Sequence, residues 1–146
     1  MRAFVLIMAL LAMPASAAEV GRFDLVCRGK VGRNESAGAF RLPGEADKRV
    51  TYDDVLYLRL LPDGSGQAQA PKKMQPAYKD DEAGWFKIIE ASITPDQIDG
   101  KIRFNSMYKP KLHVDRRTGL VTVFGKLGDF SGDCAPYDPS SSARKF

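Results

Sequence analysis

His113 is the only histidine in the chain, and Cys27 and Cys134 are the only cysteines. Any mechanism that moves a proton through imidazole must therefore use His113. It stands between Leu112 and Val114, with Lys111 and Asp115 two residues away. Strand alternation turns it away from its apolar neighbours, toward solvent. A transition-metal site needs further imidazole or thiolate ligands, and there is no second histidine to supply one. Acidic residues cluster at Asp53-Asp54, at Asp80-Asp81-Glu82 and at Asp129 with Asp133. A hard cation wants several oxygens converging on one point, and none of these clusters has the spacing of a calcium loop. Paired carboxylates for glycoside hydrolysis need a cleft, for which the chain is short. The sequence contains no G-x-S-x-G, no P-loop and no G-x-G-x-x-G, so nucleophile elbows and phosphate cradles are missing. The expected class is non-enzymatic, with no cofactor and no metal.

The cysteines point to a different chemistry. Met1-Arg2 is a short positive start, and Ala3 to Met13 is an unbroken apolar run too short to span a bilayer. Pro14 breaks it, and Ala15-Ser16-Ala17 offers the small residues of a cleavage site. Residues 1–17 therefore read as a signal peptide, and the mature chain is expected in the periplasm or secreted. Two thiols in an oxidising compartment normally pair. A Cys27–Cys134 bond would close a loop on the order of 100 residues, worth about 4–5 kcal/mol in the chain-entropy model. That is a large share of the roughly 5–15 kcal/mol that holds a small domain together. No C-x-x-C spacing suggests thiol exchange instead.

The elements that must position these residues are short strands. From Arg22 to Val31, Phe23, Leu25 and Cys27 alternate with Arg22, Asp24 and Arg28, so Cys27 falls on the apolar face. A loop is expected from Gly32 to Asp47, with a short irregular strand near Phe40 and Leu42. Val50 to Leu61 is apolar on both faces in part and stops at Pro62-Asp63-Gly64, which favours strand over helix. Gln67 to Ala70 forms a short return. Pro71 to Gly84 is irregular, and Trp85 to Ile93 is a strand. Thr94-Pro95 opens a turn or one helical turn. Ile98 to Ser106 resumes the strand pattern. Leu112 to Phe124 reads as a hairpin turning at Asp115–Gly119, followed by a Gly-rich return to Cys134.

Counting gives about six to eight strands and no convincing helix, the pattern of an all-β antiparallel barrel or sandwich. Residues 18–136 form the single expected domain, and residues 137–146 a mobile polar tail. Basic residues outnumber acidic ones 22 to 18. Lys101, Arg103, Lys109, Lys111, Arg116 and Arg117 would line one outward face, suited to an anionic envelope component or an acidic protein. Export and the lack of aromatics among these bases argue against nucleic acid. Trp85, Tyr57 and Phe104 would mark the mouth of a ligand-holding barrel.

F-x-L-x-C-x-G at Phe23–Gly29, a turn at Ile93–Ile98, V-D-R-x-T-G at Val114–Gly119 and G-x-C at Gly132–Cys134 follow a leader. This layout resembles a class of small exported β-proteins of Gram-negative bacteria with no assigned function. The resemblance implies location and fold, not activity. The plan is also similar to that of C-type periplasmic lysozyme inhibitors, which are small exported β-barrels. Their S-x-x-G-x-R-Y segment is missing here; Ser36 to Phe40 is a faint echo. The leading expectation is an exported, non-enzymatic binding or envelope-associated module. The alternatives are a lipocalin-like carrier and a periplasmic inhibitor of a cell-wall hydrolase.

Overall fold

The computed structural model describes residues 22–35, 48–81 and 83–137. Within them, eight strands close into an antiparallel barrel in chain order. They are β1 (Phe23–Glu35), β2 (Lys48–Leu60), β3 (Gly66–Gln69), β4 (Trp85–Ile93), β5 (Gln97–Arg103), β6 (Lys111–Asp115), β7 (Leu120–Gly125) and β8 (Gly128–Pro136). Of the two architectures expected, barrel and sandwich, the chain forms the barrel. The leader expected at 1–17, the strand expected near Phe40 and Leu42, and residues 138–146 lie outside the described residues.

Period-two alternation builds the wall. β2 turns Leu56, Leu58 and Leu60 inward, β6 Leu112 and Val114, and β7 Val121 and Val123; all are buried. Phe86, Ile98, Ile102, Phe104 and Phe130 fill the space between them. Each such side chain contributes about 1.5–3 kcal/mol by leaving water. Outward positions carry Arg28, Lys30, Asp53, Lys87, Arg103 and Lys111, all exposed. An apolar inside and a charged outside invert the pattern of a membrane-spanning barrel. Among the described residues, no helix is long and apolar enough to cross a membrane. In β4 a bulge between Ile89 and Ser92 leaves Glu90 at φ 51°. The extra residue resets the alternation, so Phe86 and Ile88 face inward before it and Ala91 and Ile93 after it.

One barrel mouth is sealed by the β3–β4 connection. Its 3₁₀ turn, Lys72–Met74, touches β1 and β8 on the far side and buries Met74 completely. Arg33 donates to the Lys73 carbonyl at 3.3 Å, fastening the crossing. The same connection explains the two-faced apolar pattern of β2. Val55 and Tyr57 point outward, but they line a cleft of about 460 Å³ walled by Ala70, Lys72, Gln75 and Lys79.

The seam of the barrel is β1 against β8. Cys27 and Cys134 are direct partners in its register and are bonded, with Cα atoms 3.9 Å apart. The next inward pair is Gly29 and Gly132. A Cβ on Gly29 would lie 2.1 Å from the Ser131 carbonyl oxygen, and one on Gly132 would lie 2.3 Å from that of Arg28. Only glycine fits this approach. The return to Cys134 is therefore a nine-residue strand rather than a loose connection. β1 likewise continues past Gly32 to Glu35, where the sequence suggested a loop. Thr94 caps a turn rather than a helix, its hydroxyl accepting from the Gln97 amide at 3.1 Å. Tyr137, assigned by sequence to the tail, donates its amide to the Asp24 carbonyl at 2.8 Å and packs its ring edge-on to Tyr57.

Candidate functional site

The barrel sorts its connections. Those between β3 and β4, β5 and β6, and β7 and β8 gather at one end; those between β2 and β3, β4 and β5, and β6 and β7 gather at the other. This splits the six cations singled out by sequence. Lys101, Arg103, Lys109 and Lys111 lie toward the first end. Arg116 and Arg117 sit in the β6–β7 turn at the second, five residues or about 17 Å along the strand from Lys111.

Most of these charges are already engaged. Lys101 is bonded to Glu90, and Arg103 lies 3.5 Å from Asp80. Arg117 lies 2.7 Å from Asp96. Arg116 donates to the Thr94 carbonyl at 2.6 Å and covers the Phe23 ring. Lys109 and Lys111 make no salt bridge among the described residues, and neither does Lys126 of the β7–β8 turn. The Lys101 hydrogen bond, with Lys109 adding to the field, holds the Glu90 carboxyl below its ordinary range.

Beside these three lysines stand large apolar side chains left in solvent. Met107 is 91% exposed, Phe124 72% and Leu127 40%. Lys111 and Phe124 are direct cross-strand partners. A shallow cleft of about 560 Å³ runs from Met107 to Lys126, with Tyr108, Pro110 and Phe124 along it.

The tip that carries Met107 is tightly tied. Asn105 is the one buried polar side chain of the described residues. Its Oδ1 accepts from the amides of Met107 at 2.9 Å and Tyr108 at 2.7 Å, and its Nδ2 donates to the Tyr78 carbonyl at 2.8 Å. The Tyr108 ring stacks on Phe104 at 5.4 Å, and its hydroxyl accepts from the Leu127 amide at 3.2 Å. Burial raises the pKa of that hydroxyl, so it stays protonated. Gly125 allows the contact, because a Cβ there would lie 2.3 Å from the Tyr108 oxygen. Met107 is thus held in water by a loop with little freedom to bury it. Leaving Met107 and Phe124 exposed forgoes about 1.5–3 kcal/mol of burial for each.

No family model, curated protein or solved structure matches the chain.

The residues expected at a ligand mouth are not brought together. Trp85, Gln69 and Tyr57 are successive cross-strand partners on the outer wall. The Arg59 guanidinium lies 4.0 Å from the centroid of the Trp85 ring. Phe104 is on the opposite side of the wall, fully buried against Phe86 and Tyr108. A cleft of about 340 Å³ does pass Trp85, but it runs along the outside between Gln67, Asp80 and Arg103.

His113 Nδ1 lies 2.7 Å from Asp99 Oδ1, both side chains about half exposed. Thr122 is the next cross-strand partner. Carboxylate, imidazole and hydroxyl therefore form a row across β5, β6 and β7. The row lies on the open convex wall, and none of the three lines the clefts beside Lys72, Trp85, Asp129 or Met107. Of the acidic run, Asp81 accepts from the Ala83 amide at 2.8 Å and Asp80 faces Arg103, while Glu82 lies outside the described residues. Among the described residues, no group of three or more histidines, cysteines or carboxylates could hold a metal ion.

Sequence reasoning identified Lys109 and Lys111 but missed Met107, Phe124, Lys126 and Leu127. A signal for Phe124 was available. Val121 and Val123 face inward, so the next residue must face out. Met107 gave no such signal, because a loop has no period.

Proposed function

We propose that this chain is an exported, non-enzymatic binding module of the bacterial envelope, working through the outer surface formed by Met107, Lys109, Lys111, Phe124 and Lys126. The observation that carries this reading is the rigid presentation of Met107 and Phe124 to solvent beside lysines that make no salt bridge among the described residues. Contiguous exposed apolar surface rimmed by polar groups is a mark of interaction sites. Export is supported by the leader at 1–17 and by the Cys27–Cys134 bond, which suits an oxidising compartment. The resemblance to small exported Gram-negative β-proteins points the same way and favours the periplasm. The carrier alternative draws little support from a filled interior sealed at one mouth by Met74. The inhibitor alternative rests on the small-barrel plan alone, since the S-x-x-G-x-R-Y segment is missing and its faint echo, Ser36 to Phe40, lies outside the described residues.

Site-specific photo-crosslinking in cells tests the reading. A benzophenone side chain at Lys111 or Phe124 is expected to capture envelope material. The same probe at Lys87, exposed on β4, is expected to capture none. Equal labelling at all three positions would remove the basis for this surface.

A further inference from the structure

The partner of this surface can be named by its chemistry. We infer that it docks on a bilayer rich in anionic phospholipid, with Met107 and Phe124 entering the headgroup layer and Lys109, Lys111 and Lys126 binding phosphates around them. This rests on the proposed contact surface and specifies its occupant.

Shape comes first. Met107 and Phe124 stand at 91% and 72% exposure on the edges of a shallow, open cleft rather than inside an enclosed pocket. A folded partner would need matching pockets for both, whereas a headgroup layer yields around whatever enters it. Charge comes second. The three lysines flank the apolar pair, and none makes a salt bridge among the described residues, whereas Lys101, Arg103 and Arg117 do. Asp129, the other cross-strand partner of Phe124, is offset by its ion pair with Arg49. An engaged cation gains little from a phosphate; a free one gains its full attraction. Lysine stems also lie along apolar surface while their ammonium groups reach outward, as an interfacial site requires. Lys72 and Lys73 are exposed on the connection that seals the same barrel end, extending the positive field. Stiffness comes third. Asn105 and Tyr108 hold the two tips in place, so little ordering entropy is lost on contact. The charged outer wall keeps the barrel itself in water, which makes the attachment peripheral.

The test is vesicle cosedimentation of the purified processed chain, comparing vesicles of phosphatidylcholine alone with vesicles containing phosphatidylglycerol. All variants carry the same N-terminus. Binding is expected only with phosphatidylglycerol and should weaken in high salt. Each of Lys109→Glu, Lys111→Glu and Lys126→Glu is expected to weaken it by about fivefold or more. Met107→Ser with Phe124→Ser is expected to weaken it by about tenfold or more at unchanged thermal midpoint; both side chains are exposed, so folding is spared. Lys87→Glu, off the surface, should leave it within about twofold. Equal binding to both vesicle types, or full binding by the double serine variant, overturns the inference. Should vesicles fail while crosslinks from Lys111 and Phe124 converge on one protein, the lipid assignment falls and the contact surface stands. Should both fail, the surface falls too.

Discussion

Removing the Cys27–Cys134 bond is predicted to cost about 5 kcal/mol of stability. The bond joins residues 107 apart in sequence. Closing a loop of that length lowers the entropy of the unfolded chain by about 16 cal/mol/K, about 5 kcal/mol at 25 °C. Little is lost on the folded side. The two cysteines are partners within a ladder running from Leu25 and Pro136 to Gly32 and Asp129, and that ladder does not need the sulfur bond to persist. The perturbation is Cys27→Ala with Cys134→Ala, which leaves two small side chains facing each other across the seam. With a urea slope of about 1.5–2 kcal/mol/M, the midpoint falls by about 2.5–3.5 M. The slope itself should rise, because an unbridged chain unfolds to a more open ensemble. Equilibrium urea unfolding, followed by Trp85 fluorescence and circular dichroism together, reads both quantities. A midpoint drop under about 0.5 M with an unchanged slope would refute the reasoning. It would mean that the unfolded chain is already compact where the bond ties it.

Gly132→Ala drives a Cβ into the Arg28 carbonyl. It should cost at least about 2 kcal/mol and lower the thermal midpoint by about 8 °C or more; a shift within about 2 °C counts against a glycine-tight seam. Asn105→Leu strips the amides of Met107 and Tyr108 and the Tyr78 carbonyl of their partner. A loss of about 2–3 kcal/mol is expected, with faster amide exchange at 104–110, and unchanged exchange there would show that the tip does not depend on Asn105. Acid should also destabilise the fold. Amide hydrogen bonds from Arg117 and Thr118 depress the pKa of Asp115, Ser65 depresses that of Asp63, and Lys101 that of Glu90. Folded values below unfolded ones give stability that is present above about pH 4 and lost as pH falls through the folded values. The combined variant Asp115→Asn, Asp63→Asn, Glu90→Gln should flatten that acid limb of the urea midpoint between pH 5 and pH 2.5, and an identical limb would assign it elsewhere.

Much of the wall was legible because it follows one physical rule. Where inward positions carry large apolar side chains, as in Leu112–Val114 and Val121–Val123, alternation reveals the strand. β8 escaped the rule for a reason visible in its register. Its inward positions are Phe130, Gly132 and Cys134, and the middle one cannot carry a side chain against Gly29. The disulfide was legible from export logic alone, since two thiols in an oxidising space have few alternatives. The surface was half legible. Lys109 and Lys111 drew notice as part of a basic run, yet the run contained no information on which charges meet acids. Glu90 reaches Lys101 through β4–β5 pairing, Asp96 reaches Arg117 through β5–β6 pairing, and Asp80 reaches Arg103 from the β3–β4 connection. Trp85, Tyr57 and Phe104 were grouped by type. Parity separates them, because Tyr57 lies between inward Leu56 and Leu58 and so points out.

Hydrogen exchange on residues 18–146, alone and with envelope membranes, tests most directly where the proposed contact lies. Protection is predicted at 104–111 and 124–128, with the β2–β3–β4 wall around Gln67 and Trp85 unchanged. Protection confined to that opposite wall, or none anywhere, would contradict the account.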